Sequence, residues 1–279
     1  MSSLVIEASL KLQTQLPPLY LLVFCSFATQ FFYNGAYLLQ NKNDNPFNAR
    51  AKWYRLNKAY LNIYQVIVFV LLSIIGSYSL FQIQRLPDLS EGILLVSLLV
   101  LSIAYYGITV NNQRFSLRGL GWTKPFVIAL SWTGMVVWFP TIFFRLNHAN
   151  EAFDPVALLL VSSNNFIVIT VLAIVFDVKD YADDKNEDIK TFVVRFGLNT
   201  TITTLLLPLT LLGLAVTLAI SRFFDYPLLA VVCQLLPYLL MGLLIYSLKK
   251  KRSIYFYLLL VDGVIIMKGI SGIAAVFLA

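Results

Sequence analysis

The sequence predicts an all-α protein, a polytopic membrane bundle of about nine transmembrane helices forming one membrane domain over residues 1–279. Three observations predict it. First, 59% of the residues are apolar and 13% charged, against roughly 45–50% and 25% in an ordinary soluble domain, and the mean hydropathy is +0.77. A chain with so little polar surface cannot cover a water-soluble core, so a bilayer is its natural solvent. Second, apolar runs of roughly the twenty residues that a ~30 Å hydrocarbon layer requires recur along the chain. Third, the basic residues collect in alternate breaks between those runs.

The runs are 2–16, 17–39, 59–81, 91–110, 124–145, 154–179, 199–221, 226–248 and 254–278. Pro17-Pro18, Asn45-Pro46, Pro87, Pro155 and Tyr226-Pro227 mark the breaks, because Pro removes a backbone donor and ends or bends a helix. Pro208 and Pro237 fall inside runs, where kinks are expected. The first run carries Glu7 and Lys11 and has no basic region ahead of it. It reads as a short helix, crossing or lying on the surface, rather than a cleaved signal peptide. Cys25 and Cys233 sit inside apolar runs, with no metal or disulfide spacing, and read as packing residues.

Charge orients the bundle. Sixteen of the 21 basic residues lie in four alternate breaks: Lys42 to Lys58, Arg114 to Lys124, Lys179 to Arg195, and Lys249 to Arg252. Four others lie in the opposite breaks, and Lys268 lies inside the last run. The positive-inside rule then places the N-terminus in the cytoplasm of a multi-pass protein, expected in a bacterial cytoplasmic (inner) membrane. The net charge of +7 follows from these loops and forms no stripe, so no nucleic acid is expected as a partner.

The acidic residues concentrate in one place, the run FDVKDYADDKNEDIKTFVVRFG at 176–197. If the helix continues into it, Asp177, Asp180 and Asp184 share one stripe, and stacked like charges need a compensating cation. Carboxylates on one face suit a hard divalent ion such as Mg²⁺ shared with a phosphorylated ligand. A solvated mixed-charge loop neutralised by Lys179, Lys185 and Lys190 would satisfy the same pattern.

In order and spacing this run resembles the second aspartate-rich motif, D-x-x-D-x-x-x-D, of the UbiA superfamily of intramembrane prenyltransferases. Asp177, Asp180 and Asp184 match its acids, followed by Ile189-Lys190-Thr191 and Arg195-Phe196-Gly197. The resemblance implies a nine-helix bundle with cytoplasmic aspartate loops, and transfer of an isoprenyl group from its diphosphate to a lipophilic acceptor. It implies Asp177, Asp180 and Asp184 as metal ligands, with Asp180 and Asp184 central to catalysis. It also implies diphosphate contacts from Asn34, Lys42, Tyr106, Arg114, Arg118 and Lys190. Arginine suits bidentate phosphate contact, although each basic residue equally serves as a membrane anchor.

The first motif of that family, N-D-x-x-D-x-x-x-D, departs sharply. Here Asn34 is followed by Gly35, Leu38 and Lys42 at the aspartate positions. Two unit charges roughly 4 Å apart interact by about 4 kcal/mol at an effective dielectric near 20, so removing three carboxylates and adding a lysine is a large change. One Mg²⁺ site rather than two is the expectation. The rival reading is a catalytically silent relative that binds or carries a lipid or small solute.

Polar residues inside the runs need partners. Lys268 is expected to pair with Glu7 or to snorkel outward, the Asn164-Asn165 pair to bond between helices, and Asp262 to play a structural role. His148, the one histidine, lies in an outer loop and is expected to be bland.

Overall fold

The computed structural model describes residues 1–39, 49–106, 108–110, 113–115, 117, 121–148, 153–181, 185, 189–250 and 253–279. The helices are α1 (Ser2–Lys11), α2 (Leu19–Leu39), α3 (Ala49–Leu56), α4 (Lys58–Phe81) and α5 (Leu89–Tyr106). They continue as α6 (Lys124–Asn147), α7 (Pro155–Lys179), α8 (Phe192–Phe196), α9 (Leu198–Phe223), α10 (Leu228–Ser247) and α11 (Ile254–Phe277). Each of the nine expected runs forms a helix. Among the described residues, α4, α6, α7, α9, α10 and α11 are six helices long and apolar enough to cross a membrane, and α5 is apolar but shorter.

The run at 91–110 does not stay helical to its end. Helix α5 stops at Tyr106, and Ile108–Val110 (β1) pairs antiparallel with Gln113–Phe115 (β2), Thr109 opposite Arg114. The β-branched Ile108, Thr109 and Val110 favour that extended backbone. Both π-helical turns have a visible cause. Gly134–Trp138 in α6 and Ile202–Leu206 in α9 end just ahead of Pro140 and Pro208. A proline removes its own N–H and pushes on the carbonyl four residues back, here Val136 and Thr204, so a widened turn absorbs the clash. Helix α10 runs on through Pro237.

Local signals set the ends. Asp154 caps α7, its Oδ1 accepting from the amides of Val156 (2.7 Å) and Ala157 (3.3 Å), with Pro155 in the first turn. Asp88 and Glu91 form a reciprocal capping box at the start of α5, each carboxylate accepting from the other's amide at 2.8 and 3.0 Å. Hydrogen bonds from the Ser90 hydroxyl and the Glu91 amide hold the Asp88 carboxyl below its ordinary range. The cap's contribution is therefore present above the ordinary carboxylate range and is lost as pH falls through the depressed value. Arg85 grips Glu91 through both terminal nitrogens (2.6 and 2.8 Å), and its amide bonds the Leu146 carbonyl at the end of α6. His148 stacks on Phe144, 4.3 Å between ring centroids, and its Nδ1 lies 3.1 Å from the Phe144 carbonyl oxygen.

Helix α7 is the centre. It is apolar all round, the pattern of a helix buried on every side, and contributes to both core clusters. One cluster joins it to α9, α10 and α11 through Leu172, Leu206, Met241, Leu244 and Val261. The other joins it to α1, α2 and α6 through Val5, Cys25, Val136 and Val161. Helix α4, by contrast, turns most of its apolar surface outward, as a lipid-facing helix does.

Helix α1 neither crosses nor lies on the surface. Its ten residues rise about 15 Å, half the hydrocarbon thickness, yet Leu4, Val5, Glu7, Ala8 and Lys11 are buried. It packs along α11, where Gly269 and Gly272 face Ser3 and Glu7. A Cβ at Gly272 would lie 2.5 Å from Glu7 Cγ. Gly272→Ala is expected to lower stability by about 1–3 kcal/mol through overpacking, read as a lower thermal midpoint in detergent, whereas Gly263→Ala, which meets nothing within 4 Å, should be near neutral.

The polar residues inside the runs find partners largely as expected. Lys268 bonds Glu7 at 2.7 and 3.0 Å, and Lys11 bonds the same carboxylate at 2.7 Å. Asn164 donates to Thr217 Oγ1 (2.7 Å) and Tyr238 Oη (2.8 Å), joining α7, α9 and α10. Asn165 differs: it donates to Val161 O within its own helix. Asp262 is exposed on α11.

Candidate functional site

The acidic run begins where α7 ends. Asp177 lies in the last turn of α7 and Lys124 in the first turn of α6, and Lys124 Nζ stands 2.8 Å from Asp177 Oδ1. Each sits at the end of its helix where the macrodipole opposes its charge, a cation at an N-terminus and an anion at a C-terminus. Pairing across the α6–α7 contact relieves both. The pair is enclosed: the Asp177 side chain is 1% exposed and that of Lys124 10%.

The 189–192 segment closes over this seam. Gly121 has φ +63°, and a Cβ there would lie 2.5 Å from the Lys190 carbonyl. The ring of Phe126 meets Phe192 edge-on at 6.0 Å and stacks on Phe166 at 6.4 Å. Thr191 is fully buried at the start of α8, and Ile189 is nearly so. Gly121→Ala is expected to cost more than the roughly 1–2 kcal/mol of a left-handed backbone alone, because the methyl group also strikes backbone. A small thermal shift for that variant would mean that the segment does not close there.

The expected site residues divide. Helix α7 stops at Lys179, with Asp180 as its C-cap, so Asp177 and Asp180 do not share one continuous helix. Asp177 is enclosed, whereas Asp180 is 30% exposed and pairs with Lys179 Nζ at 2.6 Å. Lys190 is exposed, with its backbone against Gly121. Asn34 accepts from Tyr54 Oη at 2.7 Å, tying the end of α2 to α3. Gln65 of α4 donates to Phe31 O at 2.9 Å beside Gly35. Asp184, Lys42 and Arg118 lie outside the described residues, as do the side chains of Tyr106 and Arg114, although Arg114's backbone lies in β2.

Among the described residues no three His, Cys, Asp or Glu side chains form a group able to hold a metal. Mg²⁺ takes oxygen ligands and keeps several waters. The partly open carboxylate of Asp180 fits that demand. Asp177 fits it only if Lys124 lets go, since the ammonium already occupies the cation's place at Oδ1.

Sequence reasoning placed Lys124 in the basic loop that resembles a diphosphate-holding connection, not in an ion pair with Asp177, and passed over Gly121. The available signal for Lys124 was its position: a lysine opening one helix and an aspartate closing the next, each against its own dipole.

No family model and no curated protein matches the sequence. Among solved structures the chain is similar to digeranylgeranylglyceryl phosphate synthase in membranes. The TM-score is 0.56 at 11% identity, over 98% of this chain and 91% of that one. At that identity the likeness shows the fold alone, an all-α membrane bundle.

Proposed function

We propose that the chain is an intramembrane prenyltransferase of the UbiA type, moving an isoprenyl group from its diphosphate to a lipophilic acceptor. The observation that carries the reading is the coincidence of fold and motif. A bundle similar to a membrane prenyltransferase over nearly its whole length carries Asp177, the first acid of the motif, at the end of its most buried helix and against Lys124. The bilayer suits the chemistry, since a prenyl tail is lipid-like and a diphosphate needs a polar edge.

In the reaction the allylic C–O bond breaks, diphosphate leaves with the electron pair, and the acceptor attacks the allylic cation and gives up a proton. One Mg²⁺ on Asp180 and Asp184 would neutralise charge developing on the leaving group. Lys42, Arg114, Arg118 and Lys190, with Asn34 and Tyr106, would bind and orient the diphosphate. Lys124 holds Asp177 and thereby the α6–α7 seam beneath it. The expected setting is a bacterial cytoplasmic membrane with the acidic run facing the cytoplasm.

The test is pyrophosphate release from farnesyl diphosphate by the purified protein supplied with a membrane-lipid extract. Asp180→Asn and Asp184→Asn should each slow release by at least about tenfold. An unchanged rate in both removes those residues from the mechanism.

Two observations favour a second reading, a silent relative that binds a prenyl lipid without turnover: Gly35, Leu38 and Lys42 at the first motif's aspartate positions, and the enclosure of Asp177 by Lys124. Chelator-insensitive binding without pyrophosphate release would select it.

A further inference from the structure

The end of the bundle opposite the acidic run holds a polar pocket. Ala157, on its wall, and Asp177 stand twenty residues apart on α7, roughly 30 Å at 1.5 Å per residue, so the two sites lie about one hydrocarbon thickness apart. The pocket encloses about 520 Å³ between the end of α1, the start of α7 and the end of α9.

Its charges are unevenly matched. Lys11 lines it and is buried, bonded to Glu7 at 2.7 Å. Glu7 also bonds Lys268 at 2.7 Å, so two ammonium groups share one carboxylate. The buried group of Lys11, Lys268 and Glu7, which reaches the pocket through Lys11, therefore carries one net positive charge. Asp154 and Asp225 line the same pocket, and among the described residues neither forms an ion pair with Lys11. Phe153 and Phe224 also line the pocket, aromatic residues of the type that attracts an ammonium group.

The backbone marks the same place. Among the described residues only two non-glycine residues have positive φ, Gln13 (56°) and Asp225 (48°), and both line this pocket. Each is the residue after the C-cap of its helix, where left-handed backbone closes the end: Thr14 N–H bonds Ser9 O at 3.0 Å and Tyr226 N–H bonds Ser221 O at 2.8 Å. Two helix ends thus meet at the pocket and fix the places of Gln13 and Asp225 in its lining.

We propose that this pocket binds a zwitterionic ammonium–phosphate group, the chemistry of a phosphoethanolamine headgroup, with its phosphate toward Lys11 and its ammonium toward Asp154 and Asp225. A buried cation below and carboxylates with aromatic rings around it match a ligand carrying both signs. A purely anionic headgroup would meet the two aspartates, and a purely cationic one would meet Lys11. The proposal stands apart from the prenyl-transfer reading, since it uses neither the acidic run nor its loops.

The full chain is reconstituted in phosphatidylglycerol nanodiscs containing a minor fraction of phosphatidylethanolamine, and the lipid it retains on release is measured by native mass spectrometry. A second arm titrates free phosphoethanolamine into the detergent-solubilised protein by calorimetry. Phosphatidylethanolamine should be enriched at least about fivefold over its bulk fraction, a difference near 1 kcal/mol. Asp225→Asn, which tolerates the left-handed backbone, should remove the enrichment, and Lys11→Met should do the same if it folds. Binding of free phosphoethanolamine that Asp225→Asn weakens supports recognition of the headgroup alone. Enrichment of the lipid without binding of the free compound supports a membrane lipid as the source. Equal retention of both lipids with no phosphoethanolamine binding overturns the proposal, as does enrichment that Asp225→Asn leaves intact.

Discussion

Glu7→Gln is expected to destabilise the bundle by about 3–5 kcal/mol, because it leaves two lysines buried without the carboxylate they share. Glu7 is 2% exposed, and Lys11 and Lys268 are 4% and 5%. Lys268 stands fifteen residues into the 24-residue α11 and has little reach to either end. Lys11 ends α1 and can turn outward along its own stem. The double variant Glu7→Gln/Lys268→Met should therefore recover much of the loss, leaving one lysine near an exit. Thermal unfolding in detergent reads both. A shift for Glu7→Gln no larger than that of a lipid-facing control such as Leu71→Ala would mean that α1 is not fastened to α11 through this carboxylate.

Lys124→Met has the second large effect, again about 3–5 kcal/mol, for removing a counter-charge held 2.8 Å from an enclosed carboxylate. Asp177→Asn should cost less, since the freed lysine can swing toward solvent at the start of α6. An apolar double replacement, Lys124→Met/Asp177→Leu, should recover most of the loss, as buried pairs replaced together often do. These variants separate two roles for Asp177. If the carboxylate serves as a metal ligand and Lys124 merely fills in, Lys124→Met should tighten Mg²⁺ binding and leave the thermal midpoint in place. If the pair fastens α6 to α7, the midpoint falls.

The helices were legible because bilayer physics leaves little choice: every backbone polar group must be satisfied within a segment, so long apolar runs become helices. The Glu7–Lys268 pair was legible for a related reason, as a lysine in the middle of α11 needs an acid, and few acids lie within apolar runs. What α1 does was not legible. Its length excludes a span and its charges suggest a surface, and only the small residues of α11, Gly269 and Gly272, let it sink beside them. The π turns were half legible, since Pro208 was expected to distort α9, while the same effect at Pro140 was not anticipated. The site was least legible. Spacing aligns Asp177 with Asp180, but the helix ends between them, and a lysine more than fifty residues earlier decides that one is enclosed and the other open.

On the proposed reading, a prenyl diphosphate is bound and cleaved at the Asp177 end of α7. The most direct measurement is equilibrium binding of radiolabelled farnesyl diphosphate to the reconstituted protein with and without Mg²⁺, followed by product analysis after addition of membrane lipid. The account predicts saturable binding, release of pyrophosphate and movement of the label into a lipid product. Absence of saturable binding in both conditions, with the protein shown to be folded by its thermal transition, would contradict it.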